Sequence, residues 1–173
     1  MQTNTKIKRE PLICRQDAPP VTGLTYGKYP AWKNACGVIA AYNALNLKGY
    51  WGAENSFLRV LQDFEALGYP RWKGMLGTKA SNIKRYMKRR GLRATRWFRS
   101  GKKLDEAAKP GTVIILSVWN QSCLLRGLHI FACLRTENGW KAYNRHYRNS
   151  ALFYPSFDAI LEKDARQYLL VVW

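Results

Sequence analysis

Residues 33–45 read KNACGVIAAYNAL, with a cysteine and a glycine placed where an apolar periodicity begins. From Ala35 to about Leu47, the residues Ile39, Ala40, Asn43, Ala44 and Leu47 recur at three- and four-residue spacing. This predicts a helix with Asn34 as its N-cap and Lys48-Gly49 as its stop. A thiol at a helix start is favoured as thiolate by the unpaired N–H groups and the positive end of the helix dipole. A lone cysteine is more commonly a small buried apolar residue. Which of these Cys36 is depends on what the rest of the chain brings to it.

Working outward, a second helix is expected from about Asn55 to Leu67, where Phe57, Val60, Leu61, Phe64 and Leu67 form one apolar stripe ended by Gly68. A third begins after Thr78, buries Ile83 and Met87 and ends at Gly91. Beyond it the period falls from 3.6 to 2 or to short apolar runs. Leu92 to Phe98, GTVIILSVW (111–119), LHIFACL (128–134), GWKAYNRHY (139–147) and QYLLVVW (167–173) read as strands, with a short helix from Ser156 to about Lys163 before the last. Between Val113 and Tyr147 the connections are too short for a crossover helix, so an antiparallel meander is expected. Helices first and sheet second define an α+β domain. Residues 1–22, polar and containing Pro19-Pro20, read as an extended arm before a single domain over 23–173.

The charge is far from balance: 29 Lys and Arg against 11 Asp and Glu give +18. The excess concentrates between Lys79 and Lys103, a stretch with no acidic residue. Such a field attracts polyanions or acidic partners and does not bear on fold. No apolar run approaches the ~18 residues that cross a bilayer, and no apolar stretch follows the charged start MQTNTKIKRE. A soluble protein is expected, cytoplasmic or exported without a recognisable signal. The cysteines at 14, 36, 123 and 133 form no CxxC pair and have no histidine at zinc-finger spacing. Neither a disulfide framework, a metal site nor a cofactor is expected.

Two histidines, His129 and His146, are the only imidazoles that can serve Cys36 as a base. His129 opens the strand LHIFACL, at a sheet end where a ring can point into a cleft. A catalytic imidazole also needs a group that holds its tautomer and orientation. Pairing around the turn TENG places His129 across from about residue 145, hence close to Asn144. His146 shares a strand side with Asn144 and reads as a surface or second cleft residue. Cys133 reads as core and Cys14 as part of the arm, while Cys123 is the second candidate for a reactive thiol. Trp97 and Phe98 between Arg96 and Arg99 fit stacking on single-stranded nucleic acid, but a buried strand is preferred.

Cys-Gly opening the helix VIAAYNAL, then GTKASNIKRYMKRRGLRA, GTVIILSV, LHIFACL and GWKAYN, resembles the papain-like cysteine peptidases of the bacteriocin-leader-processing, double-glycine type. The likeness spans about residues 26 to 173. It implies a papain-like fold with Cys36 as nucleophile, His129 as general base and acid, and Asn144 as the orienting residue, where close relatives more often use Asp. Papain-like enzymes carry a glutamine six residues before the nucleophile as oxyanion donor, and here Pro30 stands in that place. Asn34, with the Cys36 N–H, is the expected substitute and Gln121 a weaker one; losing one such donor costs about 10²–10³ in rate. The implied activity is hydrolysis of a peptide bond in a peptide or protein, with an acidic substrate favoured by the charge and acyl transfer to an amine left open. The alternative is a papain-like fold with impaired catalysis that binds a polyanion or acidic protein. Nucleic acid ranks behind peptide as a partner.

Overall fold

The computed structural model describes residues 11–120, 127–146 and 148–173. Two short strands, β1 (Thr25–Tyr26) and β2 (Tyr29–Pro30), form a small hairpin followed by a helical turn α1 (Ala31–Asn34) and the central helix α2 (Cys36–Leu47). Helices α3 (Phe57–Ala66) and α4 (Ala80–Arg89) come next, then strand β3 (Ala94–Arg96) and helix α5 (Gly101–Ala107). Strands β4 (Val113–Trp119), β5 (Leu128–Thr136), β6 (Gly139–Tyr143) and β7 (Leu152–Tyr154), helix α6 (Phe157–Leu161) and strand β8 (Ala165–Val172) complete the chain. The larger sheet has the order β3-β8-β4-β5-β6-β7, antiparallel throughout. The expected α+β class and the β4–β5–β6 meander are thus observed.

Both faces of that sheet are covered, which explains the continuous apolar runs in its strands. Val113, Ile115, Ile130, Leu170 and Val172 face α2 and its neighbours. Ile114, Leu116, Phe131, Cys133, Leu169 and Val171 face the opposite way, toward the core that α5 and α6 close. Helix α2 is buried from Gly37 to Asn46, so it is apolar all round. Of its two buried asparagines, Asn43 is satisfied by the main chain of Ile13, accepting from its N–H at 2.9 Å and donating to its carbonyl at 2.8 Å, and Asn46 donates to the Tyr42 carbonyl at 3.0 Å.

The glycine after Cys36 is a packing requirement. A Cβ there would lie 3.1 Å from Thr78 Cβ and 3.2 Å from Ile83 Cδ1, at a fully buried crossing. Gly37→Ala is therefore expected to destabilise the protein by about 1–3 kcal/mol despite alanine's higher helix propensity, read as a lower urea midpoint with unchanged m.

Several expectations are corrected. Helix α2 begins at Cys36 after a separate turn, and its N-cap is Ala35, which has no side-chain cap. Asn34 ends α1 instead, because its amide is drawn to two loop carbonyls. Residues 11–22 are irregular but do not stand off as an arm: Ile13 and Val21 are buried, and Gln16 Nε2 donates to the Trp32 carbonyl at 2.6 Å. The burial of two apolar residues and the bonds to Asn43 and Trp32 outweigh the polarity of this segment. Strand β3 stops at Arg96, so Phe98 is exposed with the Arg96 guanidinium 4.6 Å from its ring, while Trp97 is partly buried. Helix α5 was not anticipated, since GKKLDEA has one apolar stripe residue, Leu104. Its Ser100 cap accepts from the Lys103 N–H, and Asp105 accepts from Trp140 Nε1 at 2.6 Å.

Candidate active site

Cys36 is the first residue of α2 and is half-buried against the core beneath the sheet. It lines a cleft of about 410 Å³ with Lys33, Asn34, Arg71, Thr78 and Ile130. The backbone amides of Ile130, Gly37 and Cys36 itself approach the sulfur and favour the thiolate, but burial outweighs them and pushes the thiol pKa up. Desolvation of the charged form thus opposes what the helix start supplies.

His129 and Asn144 meet at the other side of the same strand end. His129 Nε2 lies 2.6 Å from the Asn144 main-chain carbonyl. That oxygen only accepts, so Nε2 carries the proton and Nδ1 holds the free lone pair. Orientation is supplied by the backbone of Asn144, and its side chain turns away to donate to Gln16 Oε1 at 3.2 Å. Asn144 sits at φ 60°, a left-handed conformation that Asn adopts more readily than most residues. This turn ends β6 and swings the carbonyl onto the imidazole. The β5–β6 ladder starts at Ala132↔Tyr143, a register that would carry 129 opposite 146, one beyond the expected residue. Because β6 has already ended, the contact arises from the turn rather than from the ladder.

Strand alternation separates the thiol from the imidazole. Ile130 faces α2 and Cys36, whereas His129 shares the opposite face with Phe131, on which its ring stacks at 5.7 Å. His129 lines a second cavity of about 240 Å³ with Gln16, Asn144, Arg145, His146 and Asp164. Among the described residues no hydrogen bond joins Cys36 to His129. Asn34, the expected oxyanion donor, has both amide hydrogens engaged, by the carbonyls of Tyr26 at 2.9 Å and Gly74 at 2.6 Å. Gln121 and Cys123 lie outside the described residues. Cys133 is core, as expected, with its thiol pushed up by burial. His146 sits exposed on the turn after β6, with Nε2 3.3 Å from Glu162 Oε1.

Three residues of this region carried no signal in the sequence reading. Gln16 sits in a polar segment without period, yet it bridges Asn144 to Trp32. Arg145 and Asp164 form a buried ion pair, N–O 2.7 Å, beneath the Asn144 turn. Neither a charge adjacent to a strand end nor an isolated Asp announces burial.

The His129 pKa is held down at about 4, first by burial and then by the Arg145 guanidinium and the His146 ring, against the pull of the Asn144 carbonyl. An unfolded histidine takes its proton near pH 6.5, the native one only near 4. Between these values the unfolded chain binds more protons, so stability falls as pH falls, by up to roughly 3 kcal/mol. The urea midpoint is expected to drop from pH 6.5 to 4 in the parent, and by clearly less in His129→Gln.

No protein-family model matches the chain, and no curated protein matches it. Among the described residues no helix is long and apolar enough to cross a membrane.

Proposed function

We propose that the protein is a papain-like thiol hydrolase acting on peptide bonds, with Cys36 as nucleophile and His129 as its base. The observation that carries this reading is that a cleft thiol facing backbone amides and, on the other face of β5, an imidazole whose Nε2–H is held by the Asn144 carbonyl and whose Nδ1 is free stand at the same strand end. In the attack the Cys36 proton passes to His129 Nδ1 as sulfur bonds the carbonyl carbon. Collapse breaks the C–N bond, with the imidazolium giving its proton to the leaving amine. Water then attacks the thioester, His129 removing its proton, and the acid and free thiol are released. The Gly37 and Cys36 amides take the oxyanion role that Asn34, occupied elsewhere, was expected to fill.

His129 leaves β5 on the face opposite Cys36, so for the two side chains to meet, the start of β5 that β6 leaves unpaired before Ala132 turns over and releases the Asn144 contact. The resting pair is neutral, and the proton moves only as the carbonyl is attacked. The test is intact-mass detection of an acyl adduct from a small activated ester. An adduct that maps to Cys36 and forms far more slowly in His129→Ala supports the reading; no adduct, or one indifferent to His129, overturns it. A second reading, a papain-like fold retained for binding, is favoured by the placement of Cys36 and His129 on opposite faces of β5. It predicts no adduct, together with polyanion binding that weakens steeply with salt.

A further inference from the structure

Beside the Cys36 cleft, two loops meet at closer range than ordinary side chains permit. The β1–β2 turn and the 3-10 turn Arg71–Gly74 are joined by a bond from the Lys28 N–H to the Lys73 carbonyl at 2.7 Å. A Cβ at Gly27 would fall 2.2 Å from that carbonyl, and one at Gly74 would fall 2.3 Å from the Tyr26 carbonyl. Both positions also have positive φ, so only glycine fits. The Asn34 amide bonds the Tyr26 and Gly74 carbonyls together.

This tie holds two consecutive non-glycine residues, Trp72 (φ 48°) and Lys73 (φ 56°), in the left-handed region. Backbone of that kind persists where its surroundings over-determine it and clusters at ligand-binding sites. Its effect here is to present Trp72 to solvent, 71% exposed. Of the nine large hydrophobic side chains exposed among the described residues, five (Tyr29, Trp32, Trp72, Met75 and Leu76) stand on these two joined segments. Exposed Lys28, Lys33, Arg71 and Lys73 are interleaved with them, the Lys33 ammonium lying 5.0 Å from the Trp32 ring. The acid against this rim is Glu65, which accepts from the Gly27 N–H at 2.8 Å. Lys33, Arg71, Met75 and Leu76 also line the Cys36 cleft itself.

We infer that this rim is a docking surface for an extended acidic peptide carrying large apolar side chains, delivered to the Cys36 cleft. Apolar surface this concentrated marks a binding site rather than scatter, and the interleaved cations select carboxylates over neutral or basic chains. The inference rests on the proposed thiol chemistry only in making that peptide a substrate. The dense cationic stretch of α4 and β3 has its own exposed aromatics, Phe98 and Trp173.

The test uses the full chain with Cys36→Ser and a fluorescent peptide alternating Glu with Leu and Phe, read by anisotropy. Trp72→Gly, whose glycine is at ease at φ 48°, should weaken binding about tenfold or more, as loss of a buried aromatic anchor does. Arg71→Glu with Lys73→Glu should weaken it by about 100-fold through like-charge juxtaposition, and Phe98→Ser should leave it unchanged. Circular dichroism confirms that each variant is folded. Peptide binding that ignores the Trp72 and Arg71/Lys73 changes overturns the inference. So does a single-stranded oligonucleotide that binds more tightly than the peptide and displaces it from the same residues. The small ester of the preceding test does not need the rim. Rim-dependent binding without an acyl adduct therefore removes the hydrolase reading alone, and an adduct with rim-independent binding removes this inference alone.

Discussion

Cys36→Ser is expected to reduce acyl transfer by at least about 10³-fold, to the level of background. The reason lies in the base as much as in the nucleophile. An imidazole held at about 4 is a weak proton acceptor, adequate for a polarisable thiol attacking an activated carbonyl and far too weak for a serine hydroxyl. The same environment makes the resting thiol slow. With burial pushing its pKa up, Cys36 should react with iodoacetamide near neutral pH more slowly than a free thiol, gaining speed only above the ordinary thiol range. Alkylation faster than a free thiol at neutral pH would mean a preformed thiolate, held by the backbone amides around the sulfur against its burial.

Asp164→Ala is expected to cost about 3–5 kcal/mol of stability, because it leaves the Arg145 guanidinium, 2% exposed, without its counter-ion. Beyond Asp164, Arg145 bonds the Ile160 carbonyl from Nη2 at 3.1 Å, meets the Tyr154 hydroxyl and lies 4.7 Å from the Phe131 ring, and among the described residues its Nε has no partner. For a chain of this length the loss corresponds to a fall in Tm of roughly 10 °C. Replacing both partners, Arg145→Met with Asp164→Leu, should recover most of it, since a paired buried charge gains little over packed apolar groups. The pair lies directly under the Asn144 turn. Asp164→Ala should therefore also lower the His129 pKa further, because the Asp164 carboxylate and the Asn144 carbonyl both raise it and the Arg145 guanidinium left unpaired lowers it, seen as a shift in the imidazole NMR titration.

How much of this was legible follows from which interactions are local. Ile83 and Met87 at helical spacing, Gly91 after the last turn, and the short apolar runs of residues 113–119 and 128–134 are local signals, so α4, β4 and β5 are placed within a residue or two. Helix α5 and strand β7 were not, because GKKLDEA and LFY have too little pattern of their own and are held by tertiary partners such as Asp105 with Trp140. At the candidate site, order along the chain brought His129 and Asn144 together at one sheet end but did not show that Cys36 lies on the other face of β5. It did not identify the atoms.

Sequence by itself determined the thiol at the head of the apolar helix α2, the antiparallel meander, the histidine at the start of β5 and a positive charge of +18. Those features depend on residue type and short-range spacing. Tertiary structure alone decided that the Asn144 carbonyl, not its amide, holds the imidazole, and that Asn34 is spent on two loop carbonyls. It also decided that Gln16 and the Arg145–Asp164 pair stand behind the site, and that Trp72 is thrust outward. Each of these depends on a left-handed turn, a desolvated charge or a contact between segments distant in sequence, none of which leaves a period to read.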